Sequence, residues 1–165
     1  MAAFPGRHAA NHPFRRYWRE PWTFKARHSR SFRRFCWGHG FISPHFTRAE
    51  WASKDGASVP KSLMKNAQRQ AFRLEQLRHT LGDKPLSGLS FYRSPAHNAA
   101  VGGASESRHM QADATDFSVQ EIERHGRSRF RAAVERIWRN NGIGSYPGGN
   151  IHTDARPWTA RWTSW

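Results

Sequence analysis

Ser107-Arg108-His109-Met110-Gln111-Ala112-Asp113-Ala114-Thr115-Asp116-Phe117-Ser118-Val119 is the stretch on which the fold of this chain turns. It passes from a polar, turn-like segment into Ala114 to Val119, a short strand by composition. His109 falls in the turn that leads to the strand, and Asp116 on the strand itself. Ala114, Phe117 and Val119 surround Asp116 with apolar groups, a setting in which an unpaired carboxylate is costly and a bound cation removes the cost. A second polar cluster, Ile151-His152-Thr153-Asp154-Ala155-Arg156, overlaps another strand candidate, Asn150 to Asp154. His152 and Asp154 are two apart there and share one face, so both can address the same metal and its water. A third cluster is Phe91-Tyr92-Arg93-Ser94-Pro95.

Zinc takes imidazole, carboxylate or thiolate, and a catalytic zinc uses three protein ligands and a water. The single cysteine, Cys36, excludes a thiolate site and an intramolecular disulfide alike. Cys36-Trp37-Gly38-His39 lacks a second half with zinc-finger spacing. Two histidines and one carboxylate remain, drawn from His109, Asp116, His152 and Asp154. Singly, each pair is ordinary, because a lone His is usually a surface or hydrogen-bonded core residue and a lone Asp near a strand end a turn or cap residue.

Outward from these clusters, Pro60 suits a first helical turn. Leu63, Ala67, Ala71, Leu74, Leu77 and Leu81 then recur at helical spacing up to Gly82, so regular structure is expected from about Ser58. Leu86 to Tyr92 reads as a short strand. Ser94-Pro95 opens a helical turn that stops at Gly102-Gly103. A further helix, Arg127 to Asn140, carries Phe130, Val134, Ile137 and Trp138 and ends at Asn-Asn-Gly. Ala160 to Trp162 adds an edge. Short strands with helices between them predict an α+β domain with a small antiparallel sheet and flanking helices.

The 165 residues carry 27 Lys and Arg against 12 Asp and Glu, a net charge of +15. Such a surface is drawn to polyanions, whether nucleic acid, anionic lipid or a decorated wall. The charge is densest in the first 47 residues, where nine cations face Glu20 alone and Pro5, Pro13, Pro21 and Pro44 interrupt every periodicity. Residues 1–44 are read as a basic, aromatic arm and 45–165 as the folded domain. The arm either docks non-specifically on an anionic envelope surface or nucleic acid, or is a solvated extension. No stretch approaches the roughly 18 apolar residues of a membrane span. The N-terminus lacks the apolar segment of a secretory signal, which predicts synthesis in the cytoplasm.

Several blocks recur in a fixed order: His45 to Trp51, Lys54-Asp55-Gly56, Val59-Pro60, Tyr92-Arg93-Ser94-Pro95-Ala96-His97-Asn98, Val101-Gly102-Gly103-Ala104-Ser105, Ser107-x-His109-x6-Asp116, Gly142 to Pro147, and Ile151-His152-x-Asp154-x-Arg156. With these blocks, the chain from about Phe46 to Trp162 resembles the zinc D-alanyl-D-alanine carboxypeptidase family, in particular the small C-terminal-type domain of phage and bacterial murein peptidases. The resemblance implies that fold, which hedgehog-type domains share, and a zinc ion held by His109, Asp116 and His152. It also implies that Arg93 contacts the substrate or the developing oxyanion. There are two departures. Ala112 replaces the usual Gly of the Ser-x-His-x-x-Gly segment, a change that is tolerated where the backbone is not left-handed. Gly149 stands where classical members carry the catalytic carboxylate, three residues before the last His, and Asp154 looks like its replacement.

The expected activity is zinc-dependent hydrolysis of peptide bonds in bacterial peptidoglycan, carboxypeptidase or endopeptidase, endolysin-like, reaching the wall by phage-type release or carried by a virion. Asp154 is expected to take the water's proton, and Arg93 to stabilise the oxyanion or hold a substrate carboxylate. Tyr146 and Ser107 are positioning candidates for substrate, or else a loop tyrosine and a turn serine bonded to local backbone. The rival function is a basic nucleic-acid-binding protein on an inactive peptidase-like fold, which predicts salt-sensitive DNA binding and no zinc.

Overall fold

The computed structural model describes residues 40–87 and 90–163. The basic arm ahead of Gly40, with every expectation placed on it, lies outside the described residues.

Gly40 to Pro44, grouped with the arm on composition, belong to the folded unit. Strand β1 (Phe41–Ser43) pairs antiparallel with β2 (Phe46–Thr47), and Ile42 and Phe46 are buried from this hairpin. Thr47 then caps α1 (Arg48–Trp51). Its hydroxyl accepts from Glu50 N at 3.2 Å while the Glu50 carboxylate accepts from Thr47 N at 2.7 Å, a reciprocal capping box. Regular structure thus begins well before Ser58. The hairpin is too short to show a period in sequence.

A 3-10 turn, Lys61–Leu63, leads into α2 (Met64–Thr80). Its buried face carries Ala67, Ala71, Leu74 and Leu77, with Leu81 just past the end, as the spacing predicts. Glu75 is also buried on this helix. It accepts from Ser43 Oγ at 2.7 Å and His45 N at 2.9 Å and faces His45 Nδ1 at 2.7 Å, tying the hairpin to α2.

The strand expected over Leu86 to Tyr92 is not formed among the described residues. Ser90 makes one isolated bridge to Asp116, while Phe91 turns inward to stack on Trp51 at 4.3 Å between ring centroids. Its apolarity is used in packing rather than in a ladder. Ser94 caps α3 (Pro95–Ala100), accepting from His97 N at 3.0 Å with Pro95 in the first turn. Ser118 likewise caps α4 (Val119–Arg124), and α5 (Arg127–Ile137) follows.

The main sheet contains β3 (Ala114–Phe117), β4 (Gly142–Ser145), β5 (Ile151–Asp154) and β6 (Ala160–Thr163) in the order β3-β5-β4-β6. It is antiparallel except for the β4–β6 pair, which is parallel. Its two faces follow from the period of two. Thr115, Phe117, Ile143, Ile151 and Thr153 face one side, which packs on the helices. There the Gln70 amide donates to Thr115 Oγ1 and to both oxygens of Thr153, and its oxygen accepts from Trp138 Nε1 at 3.1 Å. Asp116, His152, Asp154 and Trp162 occupy the other side. On that side β4 presents only Gly142 and Gly144, opposite Asp154 and His152. A Cβ on Gly142 would strike the Asp154 carboxylate, and one on Gly144 the Trp162 indole. The two glycines clear the floor for the polar side chains.

Ala112 ends the 3-10 turn Arg108–Gln111 with φ 57° and ψ 20°, so the backbone there is left-handed and the condition attached to losing the glycine is not met. The side chain is fully buried, and Trp51 Nε1 donates to the Ala112 carbonyl at 3.3 Å. Packing from α1 therefore holds a conformation that costs an L-residue roughly 1–2 kcal/mol. Ala112→Gly is expected to stay within about 1 kcal/mol of the parent. Relief of strain is offset by the flexibility of glycine and the loss of a buried methyl. Ala112→Val should lower the thermal midpoint by roughly 5 °C or more, because a β-branched residue resists this region. Circular dichroism melts compare the three, and a destabilised glycine variant would show that the methyl, not the strain, governs this turn.

Candidate metal centre

The turn Arg108–Gln111 brings His109 over the polar face of the sheet, and the register of β3 with β5 sets Asp116 directly opposite His152. His109 Nδ1 faces the Phe91 carbonyl at 2.6 Å. A carbonyl only accepts, so in the neutral ring Nδ1 bears the hydrogen and Nε2 presents a lone pair. His152 is arranged the other way round. Its Nε2 faces Asp154 Oδ2 at 3.2 Å, which leaves Nδ1 as the lone-pair atom. His109 Nε2 and His152 Nδ1 lie 3.3 Å apart. Asp116 closes the triangle, with Oδ2 3.1 Å from His109 Nε2 and Oδ1 2.8 Å from His152 Nδ1.

Three lone-pair atoms converging in this way repel one another unless a proton or a cation lies among them. All three ligand atoms fall within 4.8 Å of one another. Tetrahedral zinc with bonds of about 2.0–2.1 Å separates its ligand atoms by roughly 3.3 Å, so the spacing fits that ion. Each ligand is also braced from behind. The Phe91 carbonyl holds His109, Asp154 holds His152, and Arg93 NH2 donates to Asp116 Oδ2 at 3.0 Å.

The ionisation states agree with that purpose. Burial pushes the Asp116 carboxyl up, but hydrogen bonds from His109 and His152 outweigh it and hold Asp116 well below the usual carboxylate range. Burial lowers the His152 imidazole, yet its bonds to Asp116 and Asp154 carry the net shift upward. Burial likewise opposes ionisation of Asp154, while His152 and Arg156 hold it far down. The cluster thus favours positive charge at His152, the place where a cation would sit.

Arg93 lies beside the ligands, with Nε donating to Ser90 Oγ at 3.2 Å. Tyr146 is half-buried near Asp116 and Arg93 and hydrogen-bonded to Trp162; burial raises its hydroxyl above the ordinary value. Ser107 begins the His109 turn, where its carbonyl accepts from Met110 N at 3.1 Å and its hydroxyl makes no capping bond. Asp154 is fully buried beneath His152. Its Oδ1 accepts from Arg156 N at 3.1 Å and Nε at 2.7 Å, and its Oδ2 from Arg156 NH2 at 2.6 Å as well as facing His152 Nε2.

Sequence reasoning passed over three participants. Arg156 has no role in the motifs, although its spacing of two from Asp154 on an extended segment is a signal. Trp162, an edge residue by sequence, packs 5.3 Å from the His152 ring. The Phe91 carbonyl carries no side-chain signal at all.

Among the described residues no helix is long and apolar enough to cross a membrane. The profile of the Peptidase M15 family matches residues 44–154, a span that includes all three metal-ligand candidates, Arg93 and Asp154. The zinc D-Ala-D-Ala carboxypeptidase of Streptomyces albus G is 37% identical over 105 residues, covering 58% of this chain and 38% of that protein. The present chain thus corresponds to well under half the length of that relative. The ordered motifs, the converging ligands and the extent of the profile match lead to one conclusion: the chain belongs to the Peptidase M15 family.

Proposed function

We propose that the chain is a zinc-dependent peptidase that hydrolyses peptide bonds in bacterial peptidoglycan, as a carboxypeptidase or an endolysin-type endopeptidase. The convergence of His109 Nε2, Asp116 and His152 Nδ1 beside the Arg93 guanidinium carries this reading. The name of the Streptomyces relative supports both the ion and the substrate class. A complete ligand set speaks against the inactive, nucleic-acid-binding alternative.

Bound zinc supplies a Lewis acid for the scissile carbonyl and lowers the pKa of a coordinated water. The chain's own residues do the rest. Arg93 offers a planar fork of donors to a substrate carboxylate or a developing oxyanion. Tyr146, kept protonated by burial, offers a hydroxyl donor on the same side. Asp154 takes a positioning role in place of the proton-acceptor role expected from its strand. Three bonds from Arg156 and the His152 contact fill its lone pairs, about four in a carboxylate, and none is left for a water. It holds the proton at His152 Nε2 and so keeps Nδ1 turned to the ligand cluster.

His109→Ala, Asp116→Ala and His152→Ala should each abolish stoichiometric zinc and peptidoglycan cleavage, since three ligands leave no spare. Metal analysis and mass spectrometry of digested sacculi read the two effects, and full zinc in any of the three would remove that residue from the site. Chelator should inactivate the parent and added zinc restore it.

Asp154→Asn separates positioning from base catalysis. Positioning predicts that zinc affinity falls roughly 10- to 100-fold, with turnover recovering in part at saturating zinc. Unchanged zinc affinity with lost turnover would return Asp154 to the role of base.

The raised His152 pKa sets the sign of the pH dependence. Below that value a proton occupies Nδ1, and zinc must displace it. Apparent zinc affinity should therefore fall by about tenfold per pH unit for each proton displaced, and the decline should begin above the ordinary imidazole value of 6.5. Competition with a chelator of known affinity at several pH values measures it. A pH-independent constant down to 6 would mean that zinc displaces no proton from His152 in this range, contrary to its raised pKa.

A further inference from the structure

Trp158 is 55% exposed, one of two large hydrophobic side chains left open among the described residues. A solitary exposed apolar residue is ordinary, but this one stands on a built support. The guanidinium of Arg156 lies 5.8 Å from its ring centroid and that of Arg108 lies 6.0 Å away. Each arginine is fixed in turn by a fully buried carboxylate. Arg156 grips both oxygens of Asp154, and Arg108 grips both oxygens of Asp113, with Nε to Oδ1 at 3.1 Å. The indole is thus held from the domain interior through two bidentate pairs.

The support also joins the metal centre. The Arg156 guanidinium lies 5.0 Å from the Trp162 ring centroid, and that ring lies 5.3 Å from the His152 ring. Through these steps the Trp158 ring is at most about 16 Å from His152, the span of four to five extended residues at about 3.3–3.6 Å each. A murein stem peptide hangs from an amino sugar of the glycan strand, and about four to five extended residues are enough to bridge any separation up to that limit.

We propose that Trp158 is a stacking subsite for an amino-sugar ring of the glycan strand that carries the peptide being cut. The proposal rests on the peptidoglycan reading above and adds a second point of contact to it. The charge pattern selects the sugar over an acidic stretch of the stem. Both arginines are already charge-paired with the buried Asp113 and Asp154, so they stiffen the platform and offer a ligand carboxylate little net positive charge. What the platform leaves open to solvent is the indole itself, 55% exposed, and an aromatic ring suits the C–H face of a pyranose.

The test uses the full chain and two variants, Trp158→Ala and Trp158→Phe. Two substrates are compared, a free stem peptide and the same peptide linked to its disaccharide. The proposal expects Trp158→Ala to lower kcat/KM for the linked substrate by about two- to tenfold, chiefly through KM. Cleavage of the free peptide, zinc content and thermal midpoint should stay unchanged, and Trp158→Phe should recover part of the loss. Equal losses on both substrates would overturn it in favour of a peptide contact or a structural role, and no loss on either would leave the indole without a part in binding. Titration with a peptide-free N-acetylglucosamine oligomer, followed through the tryptophan indole N–H resonances in NMR spectra, needs no catalysis. A perturbation lost in Trp158→Ala supports the subsite even where neither substrate is cut, a result that would sink the peptidase reading alone. No perturbation in the parent overturns the subsite.

Discussion

Asp116 and His152 face each other across the β3–β5 ladder, and this one pairing governs much of the molecule. A slip of one residue in either strand would turn that strand's side chain to the helical side and bring Thr115 or Thr153 into the metal centre in its place. The register is protected on the buried face by Gln70, whose amide reaches both threonines at once while its oxygen accepts the Trp138 indole. A shifted strand would leave these groups buried and unpaired, at about 1–3 kcal/mol for each. A residue on the far side of the sheet therefore keeps the two candidate ligands opposite each other.

The left-handed turn at Ala112 supplies the third ligand under a similar constraint. His109 can reach the sheet only if the chain reverses sharply between it and β3, and Trp51 holds that reversal through the Ala112 carbonyl. The hairpin and α1 thus belong to the site in an energetic sense. Hydrogen bonds from Glu75 to the hairpin carry the same dependence back to α2.

Much of this was legible in the sequence. The leucine and alanine spacing from Leu63 to Leu81 reports a helix because one face alone is buried, and His109, Asp116 and His152 are picked out as a set by the resemblance of the ordered motifs, Asp116 also because a carboxylate in an apolar strand needs a reason. Strand β4 was not legible. Gly142-Ile143-Gly144-Ser145 has the composition of a turn, and its glycines are there for the bulk of Asp154 and Trp162, neighbours distant in sequence or on another strand. Phe91 and Tyr92 read as strand residues because β propensity and burial on an aromatic cluster select the same side chains. Periodicity correctly put Asp154 on the face of His152. A period of two, however, says nothing about which way a carboxylate turns, and Arg156 decides that.

Three buried or half-buried carboxylates on this side of the domain each have their own arginine: Asp113 with Arg108, Asp154 with Arg156, and Asp116 with Arg93. The first two pairs are bidentate, which suits support. The Arg93–Asp116 bond uses NH2 alone, with Nε directed to Ser90, so a single nitrogen of this guanidinium is committed to a carboxylate. A cation held at Asp116 competes for the same carboxylate and weakens the claim of that carboxylate on Arg93. Under the proposed function the guanidinium would then meet a second anion, either the terminal carboxylate of a peptide or the oxygen that gains charge as its bond is cut. Ligand loading and substrate recognition would in that proposal be coupled through one shared aspartate, at a place where a negative charge must be located to within a bond length.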